Sequence, residues 1–335
     1  MATRIALNGF GRIGRCVLRA GWNDPNIKFV FINDLTSDEM LAHLLEYDSV
    51  HGRFSEAVNA VDGGLQVGDR MIPTSAEKDP TKLPWGKLEV DIVMECTGVF
   101  RSRQKAGMHL EAGAQRVIIS APGEGEDATV VVGVNDHVLR PEHRVVSNAS
   151  CTTNCLAPVA KVLNDSFRIT GGLMTTVHSY TMDQNLLDAP HKKDFRRARA
   201  AAMNMVPTST GAAKAVGLVL PELKGKLNGQ AMRVPTPNAS VVDLVFNSER
   251  ALSVDAINDA LTEAAAGPLA GILAVSNDPI VSSDIVGNPH SSIADLPLTQ
   301  TMGDHLAKVL SWYDNEWGFS NRMLDLARRM AALGK

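Results

Sequence analysis

Two residues stand out as able to perform covalent chemistry, Cys151 and His178. Cys151 lies in the segment SNASCTTNC, residues 147–155, at the point where an extended pattern gives way to a helical one. The unpaired N–H groups and the positive dipole end of a helix N-terminus favour the thiolate, which is the nucleophilic form of cysteine. His178 ends a strand-like segment, 172–177, and could take the thiol proton. The position of Cys151 at a helix start predicts that it attacks a carbonyl carbon.

Each residue taken alone has a more ordinary interpretation. A lone cysteine at a helix start is more often structural, and a histidine at a strand end is more often a simple polar residue. Cys155, on the same helical face as Cys151, could be a resolving thiol, although a small buried packing residue is the better interpretation. A thiol hydrolase would use the same cysteine and histidine, but it would have no need of the nucleotide motif that precedes them.

That motif begins directly after the first predicted strand, Thr3–Asn8. The sequence GFGRIG, residues 9–14, opens a helical stripe, and a second strand, Ile27–Asn33, ends on Asp34. Glycines at this spacing permit a tight turn and the close approach of a pyrophosphate to a helix N-terminus. Asp34 can accept hydrogen bonds from a ribose diol and would repel a 2′-phosphate, so NAD is favoured over NADP. A chance glycine turn is the weaker alternative, because strand, turn, helix, strand and acid occur together.

The elements that position these residues fall into two patterns. Before Cys151, predicted strands alternate with helices, which indicates a parallel sheet with crossovers; one of these strands is predicted at 129–134. After Cys151 the strands outnumber the helices, and the long polar stretch 179–204 has the length of a functional loop. The predicted fold class is α/β: a Rossmann-type dinucleotide-binding domain and a second α+β catalytic domain on a largely antiparallel sheet.

Composition limits the classes of protein to which the chain can belong. At 335 residues, with 44% apolar and 21% charged residues and a net charge of -4, it has the composition of an ordinary two-domain globular protein. The charge gives no reason to expect nucleic-acid or membrane partners. Four cysteines and no signal-like start favour a reducing, cytoplasmic location. No Cys/His cluster has metal-ligand spacing, so no metal is predicted.

The assembled motifs resemble one family over essentially the whole chain. These are residues 9–14, 147–154, His178, 208–213 and the segment WYDNEW at 312–317. They are similar to those of phosphorylating glyceraldehyde-3-phosphate dehydrogenases, and the segment around Cys151 is the most specific. The resemblance implies NAD as cofactor, glyceraldehyde 3-phosphate and inorganic phosphate as substrates, a place in glycolysis or gluconeogenesis, and a homotetramer. It also implies an NAD-binding domain of residues 1–150 plus 316–335 and a catalytic domain of residues 151–315.

The resemblance assigns roles to individual residues. Cys151 matches the nucleophile and His178 its base. The groups matched to the inorganic phosphate site are Ser150, Thr152, Arg197, Thr210 and Gly211. Those matched to the site for the phosphate of the substrate are Thr181 and Arg233. Those matched to the NAD site are Gly9, Phe10, Gly11, Arg12, Ile13, Asp34, Ser120 and Asn315, with Asn315 near the nicotinamide carboxamide.

Some positions depart from the family pattern or fit a neighbouring one. Phe319 stands where many relatives carry tyrosine, and Ala189-Pro190 replaces a common Leu-Pro pair, which weakens the expectation of strict NAD selectivity. Residues 97–100 and 315–321 also resemble erythrose-4-phosphate dehydrogenase, which is the alternative activity. An alternative of another class is a non-catalytic NAD-binding protein in which Cys151 is a redox-sensing switch.

Overall fold

The computed structural model describes residues 2–334, which form two units, each with its own sheet. The described residues of the first unit fall within Met1–Val130, Asp136–Ser150 and Ser320–Lys335. The second unit comprises Val131–Asn135 and Cys151–Phe319. No helix of the described residues is both long enough and apolar enough to cross a bilayer.

The sheet of the first unit is mainly parallel. Its strands are β1 (Thr3–Asn8), β2 (Ile27–Asn33), β3 (Val58–Val61), β4 (Gly64–Val67), β5 (Arg70–Ser75), β6 (Ile92–Glu95), β7 (Arg116–Ile119), β8 (Ala128–Thr129) and β9 (Val145–Ser147). Their spatial order is β3-β4-β5-β2-β1-β6-β7-β9-β8, and only the β3-β4-β5 edge is antiparallel. The helices of this unit before Cys151 are α1 (Arg12–Gly21), α2 (Asp38–Glu46) and α3 (Arg103–Glu111). A parallel sheet with crossover helices is the predicted Rossmann-type architecture, and that prediction is confirmed.

The apolar pattern of the central strands explains their position. Ile5 and Leu7 in β1 and Ile92 in β6 have no solvent exposure. Strands buried on both faces are expected in the middle of a parallel sheet covered by helices. Consequently the carboxyl ends of β1, β2 and β6 meet at one edge, where open α/β sheets bind their ligands.

The turn after β1 depends on two glycines. Gly9 has φ +90°, and a Cβ there would lie 2.6 Å from the Thr97 nitrogen. A Cβ on Gly14 would lie 2.3 Å from the carbonyl oxygen of Gly9. Since neither position has room for a side chain, the glycine spacing read in the sequence is a steric requirement of the turn.

The second unit is built on a mostly antiparallel sheet. Its strands are β10 (Ile169–Ser179), β11 (Val206–Ser209), β12 (Leu227–Val234), β13 (Ser240–Ser248), β14 (Leu273–Ser276), β15 (Ser292–Asp295), β16 (Gln300–Met302) and β17 (Leu306–Tyr313). The helices are α4 (Cys151–Phe167), α5 (Ala212–Val219), α6 (Val254–Ala266) and α7 (Ser282–Ile285). The last helix, α8 (Trp317–Ala332), begins in this unit, and its residues from Ser320 onward belong to the first unit. Only the β10–β12 and β14–β15 pairs are parallel.

Helix α4 is the central helix of this unit. It contacts β13, β15 and β17 on one side and α5 and α6 on the others. Its residues are buried almost throughout, Cys155 among them, and the helix continues through Pro158. A helix buried on most sides cannot move independently of the sheet, so its first residue, Cys151, has a fixed position.

One predicted strand is wrong. The strand predicted at 129–134 ends at Thr129, and residues 131–135 form a turn instead. Val131 donates its backbone N–H to the Asn135 side chain, and Gly133 has φ +83°. The three valines at 130–132 are buried, so their apolar run resembles a strand although a glycine and an asparagine close a turn directly after it. The stretch between β10 and β11 contains neither helix nor strand, as predicted.

Candidate active site

The second unit brings Cys151 and His178 together. Cys151 is the first residue of α4, His178 lies near the end of β10, and the Sγ–Nε2 distance is 3.5 Å. The other ring nitrogen, Nδ1, lies 2.7 Å from the carbonyl oxygen of Ser179. A carbonyl oxygen only accepts, so Nδ1 carries the proton and Nε2 presents its lone pair to the thiol.

Burial opposes either charged form alone. Cys151 keeps some surface exposure, but its sulfur is buried. Burial raises the pKa of the thiol, while the charge of Arg233 and the hydrogen bonds of Thr152 act to lower it. Burial, with the charge of Arg233, lowers the pKa of His178 to about 3. Passing the proton from Sγ to Nε2 leaves the net charge of the pair unchanged, so the thiolate can form inside the pair without proton exchange with solvent.

Tyr313, at the end of β17, holds the two elements together. Its hydroxyl oxygen lies 2.8 Å from Thr152 Oγ1 on α4 and 2.9 Å from Thr176 Oγ1 on β10. Its ring meets the His178 ring edge to face, with centroids 5.9 Å apart. The buried phenol thus fixes the first turn of α4 relative to the strand that carries His178.

A candidate anion-binding site lies beside this pair. Arg233, on β12, donates from one terminal nitrogen to Thr181 Oγ1 at 3.1 Å and to the Ser179 carbonyl at 3.0 Å. Its Nε is buried and has no hydrogen-bond partner. A half-buried guanidinium next to a hydroxyl suits a phosphate oxygen.

A second cluster contains Arg197 and the start of α5. Arg197 donates from Nε to Thr208 Oγ1 at 2.9 Å and from a terminal nitrogen to the Ser209 carbonyl at 3.2 Å. Thr210 and Gly211 follow directly, and Thr210 Oγ1 accepts the Ala212 N–H at 3.2 Å. Arg197 also pairs with Asp183 and Asp194. An anion bound here would therefore compete with carboxylates for the same guanidinium.

The Asn315 side chain is held in one orientation. Its Oδ1 accepts hydrogen bonds from Ser179 Oγ and Ser240 Oγ, each at 2.9 Å. Both serines are buried. Because Oδ1 already accepts two hydrogen bonds, the N–H groups of the amide are left to offer a ligand.

A cleft of about 470 Å³ opens at the carboxyl edge of the first sheet. Three residues of the predicted NAD site line it, Gly9, Gly11 and Asp34. A Cβ on Gly11 would meet nothing within 4 Å, so the absence of a side chain leaves space for a ligand against the backbone. Asp34 Oδ2 accepts the Phe10 N–H at 2.7 Å, which ties the glycine turn to the acid. The open glycine turn and the neighbouring carboxylate of Asp34 suit a dinucleotide.

The remaining predicted NAD residues of this unit do not line the cleft. The Phe10 ring is buried in the core, and Ile13 is half-buried in the first turn of α1. Arg12 pairs with the buried Asp48 at 2.5 Å. Ser120 follows β7, and its N–H donates to the Glu95 carbonyl at 3.0 Å. Ser150, predicted for the phosphate site, is half-buried directly before Cys151 in the chain.

Several residues of these sites were not predicted. In the cleft they are Asn8, Asn33, Leu35, Glu77, Lys78, Pro80, Cys96, Val99 and Phe100. In the second unit they are Thr176, Ser179, Ser240 and Tyr313. The only sequence signal for the cleft residues is their position just after strands. The hydroxyl residues reveal nothing by spacing, because their partners lie far away in the chain.

A dinucleotide fold together with a thiol–imidazole pair defines the class of nicotinamide-dependent dehydrogenases that act on an aldehyde through a cysteine. Family models agree: residues 3–103 match "Glyceraldehyde 3-phosphate dehydrogenase, NAD binding domain", and residues 150–315 match the C-terminal domain of the same enzyme. The chain belongs to the glyceraldehyde 3-phosphate dehydrogenase family, which confirms the resemblance read in the sequence.

Individual relatives are similar over the full length. Glyceraldehyde-3-phosphate dehydrogenase of Priestia megaterium and glyceraldehyde-3-phosphate dehydrogenase 1 of Bacillus subtilis are each 59% identical to this chain over 335 residues, covering all of both proteins. The enzyme of Geobacillus stearothermophilus is 57% identical over the same span.

Proposed function

We propose that this protein is a phosphorylating glyceraldehyde-3-phosphate dehydrogenase: it converts glyceraldehyde 3-phosphate, inorganic phosphate and NAD to 1,3-bisphosphoglycerate and NADH. The observation that carries the proposal is the 3.5 Å contact between Cys151 Sγ and an unprotonated His178 Nε2 at the start of a buried helix. Nothing favours erythrose 4-phosphate as the substrate over glyceraldehyde 3-phosphate, and the reactive pair argues against a purely sensory protein.

The first half-reaction forms a bond between the enzyme and the aldehyde. Cys151 gives its proton to His178, Sγ attacks the carbonyl carbon, and His178 returns the proton to the carbonyl oxygen, which forms a thiohemiacetal and leaves Nε2 free. His178 then removes the hydroxyl proton of that adduct as the carbon is oxidised. NAD, when bound, supplies the acceptor for the hydride that the carbon releases. A thioester remains on Cys151.

The second half-reaction uses inorganic phosphate as the nucleophile. A phosphate oxygen attacks the thioester carbonyl, the C–S bond breaks, and the thiol is regenerated with the acyl phosphate as product. The substrate's own phosphate is assigned to Arg233 and Thr181, whose unused guanidinium donor supports this assignment. Inorganic phosphate is assigned to the second cluster, together with the first turn of α4: Ser150, Thr152, Arg197, Thr210 and Gly211.

NAD is assigned to the glycine turn and Asp34 of the first unit, with Phe10, Gly11, Arg12, Ile13 and Ser120. Asn315 would meet the nicotinamide carboxamide, because its N–H groups are the ones left to donate. We assign residues 1–150 and 316–335 to the NAD-binding domain and 151–315 to the catalytic domain.

A homotetramer in the cytoplasm is also proposed. The stretch between β10 and β11 carries large apolar side chains that are 71–95% exposed: Met182, Leu186, Leu187, Phe195, Met203 and Met205. An apolar set of this kind on one loop marks a protein interface. Native mass spectrometry should give a fourfold mass for the wild type and a smaller species for Phe195→Glu. A monomeric wild type would refute the assembly.

The chemistry is tested by comparing substrates and by trapping the intermediate. The kcat/KM for glyceraldehyde 3-phosphate should exceed that for erythrose 4-phosphate. Mass spectrometry of quenched enzyme, mixed with aldehyde and NAD without phosphate, should find the acyl group on Cys151. A preference for erythrose 4-phosphate would overturn the substrate, and an acyl group elsewhere would overturn the nucleophile.

A further inference from the structure

A row of buried polar side chains crosses the carboxyl edge of the first sheet. Ser75 Oγ on β5 donates to Asn33 Oδ1 on β2 at 2.7 Å. Asn33 Nδ2 donates to Asn8 Oδ1 on β1 at 2.7 Å, and Asn8 Nδ2 donates to Glu95 Oε2 on β6 at 2.5 Å. Four adjacent strands are thus joined side chain to side chain directly under the cofactor cleft, and two of these residues, Asn8 and Asn33, line it.

The row continues away from the cleft into α3. Trp85 Nε1 donates to His109 Nδ1 at 3.0 Å, and because an indole nitrogen only donates, Nδ1 must be the acceptor. The proton of this imidazole is therefore on Nε2, which lies 3.1 Å from Glu95 Oε2 and donates to it. Trp85 and His109 have no exposed surface, and neither lines the cleft.

Glu95 transmits this arrangement to the wall of the cleft. Its second oxygen, Oε1, accepts the Thr97 N–H at 2.8 Å and also the Thr97 hydroxyl. Four donors thus converge on one carboxylate that is almost fully buried. The His109 ring also meets the ring of Phe100, another cleft residue, edge to face with centroids 6.1 Å apart. Thr97 and Phe100 both line the cleft.

We propose that His109, held by Trp85, is a positioning residue for NAD: it fixes Glu95, which in turn fixes Thr97 and Asn8 at the cofactor cleft. A buried carboxylate that loses one donor must recover it by moving or by admitting water. Either change shifts the two cleft residues bonded to it. The inference rests on the proposed function, because NAD is the ligand whose affinity His109 would set.

The test measures NAD binding to the full-length protein by calorimetry without aldehyde. His109→Leu removes both the acceptor and the donor, and roughly tenfold weaker binding is expected from the loss of buried hydrogen bonds. His109→Gln offers a carbonyl oxygen and an N–H in their place and should restore affinity to within about threefold of wild type. Steady-state assays should place the loss in KM for NAD rather than in kcat.

Two further variants separate positioning from stability. Trp85→Phe keeps an aromatic ring against Phe31 but removes the indole N–H. It therefore tests the hydrogen bond from Trp85 to His109 even if His109→Leu fails to fold. Asp127→Asn is the control: Asp127 accepts the N–H groups of Arg144 and Val145 at the start of β9 and lies outside the cleft. It should lower the melting temperature without weakening NAD binding.

The outcomes are distinct. Weaker NAD binding by Trp85→Phe and His109→Leu, but not by Asp127→Asn, supports the proposal. NAD binding by Trp85→Phe and His109→Leu that equals that of the wild type overturns the proposal, as does a weakening that Asp127→Asn shares. A wild-type protein that binds no NAD would instead refute the proposed function.

Discussion

Replacing Tyr313 with phenylalanine removes one oxygen atom from the active-site unit and leaves the ring that meets His178. That oxygen makes hydrogen bonds of 2.8 and 2.9 Å to Thr152 and Thr176, and Tyr313 is 1% exposed. A net value of about 1 kcal/mol for each buried hydrogen bond gives a loss of about 2 kcal/mol in the free energy of unfolding.

The functional loss has a different origin. Without the phenol, the first turn of α4 loses its hydrogen-bonded link to β10, so packing alone sets the distance from Cys151 Sγ to His178 Nε2 and holds it less tightly. Proton transfer by a positioned base contributes about 10²–10⁴-fold to a rate. We expect Tyr313→Phe to lower the rate roughly tenfold, since the base is present but less well held.

Two assays measure these effects. Thermal unfolding reports the stability, and the rate of Cys151 alkylation by iodoacetamide at neutral pH, without substrate or NAD, reports the reactivity of the pair. Thr176→Val is the companion variant: it removes only the hydrogen bond to β10, so it should lose about half as much stability while showing a similar fall in the alkylation rate. A Tyr313→Phe variant with wild-type alkylation and kcat would refute the view that the phenol positions the pair.

Three further perturbations have defined outcomes. Although burial acts to raise the pKa of Asp48, hydrogen bonds from the His51 backbone and Arg12 lower it from 3.8 to about 2, so the stability it contributes is present above pH 3.8 and lost as the pH falls towards 2. The deficit of Asp48→Asn in the free energy of unfolding, on the order of 1 kcal/mol after allowance for solvent screening, should narrow over that range. Melting temperatures measured across the range check this, and a deficit independent of pH would contradict it. Arg233→Met should raise KM for glyceraldehyde 3-phosphate by roughly 10- to 100-fold and KM for unphosphorylated glyceraldehyde much less. An equal rise in both would contradict the assignment of Arg233 to the phosphate of the substrate. Ala149 has φ +56°, so Ala149→Val should lose about 1–2 kcal/mol in thermal unfolding while Ala149→Gly loses less, and equal losses would contradict backbone strain.

Local signals explain what could be predicted from the sequence. The glycine turn was predictable because its requirements lie within the motif itself: Gly9 has a positive φ, and a Cβ on Gly14 would meet the Gly9 carbonyl oxygen. Cys151 was predictable because helix starts have a recognisable pattern. The strand predicted at 129–134 failed because buried valines fit a strand and a tight turn equally well.

The supporting hydrogen bonds could not be predicted, since they join residues that are distant in the chain. Tyr313 and Thr152 are separated by 161 positions, and Asn8 and Glu95 by 87. Spacing carries no information at that range. Burial likewise altered the electrostatic expectation: a helix start alone favours the thiolate, but burial raises the pKa of Cys151, so ionisation depends on His178 accepting the proton.

The central claim is that Cys151 carries an acyl group that phosphate removes. The most direct measurement mixes enzyme, NAD and glyceraldehyde 3-phosphate in a stopped-flow instrument and follows NADH with and without inorganic phosphate. We expect a burst of about one NADH per active site without phosphate, continuous turnover when phosphate or arsenate is added, and neither from Cys151→Ser. Sustained turnover of the wild type without either anion would contradict the account.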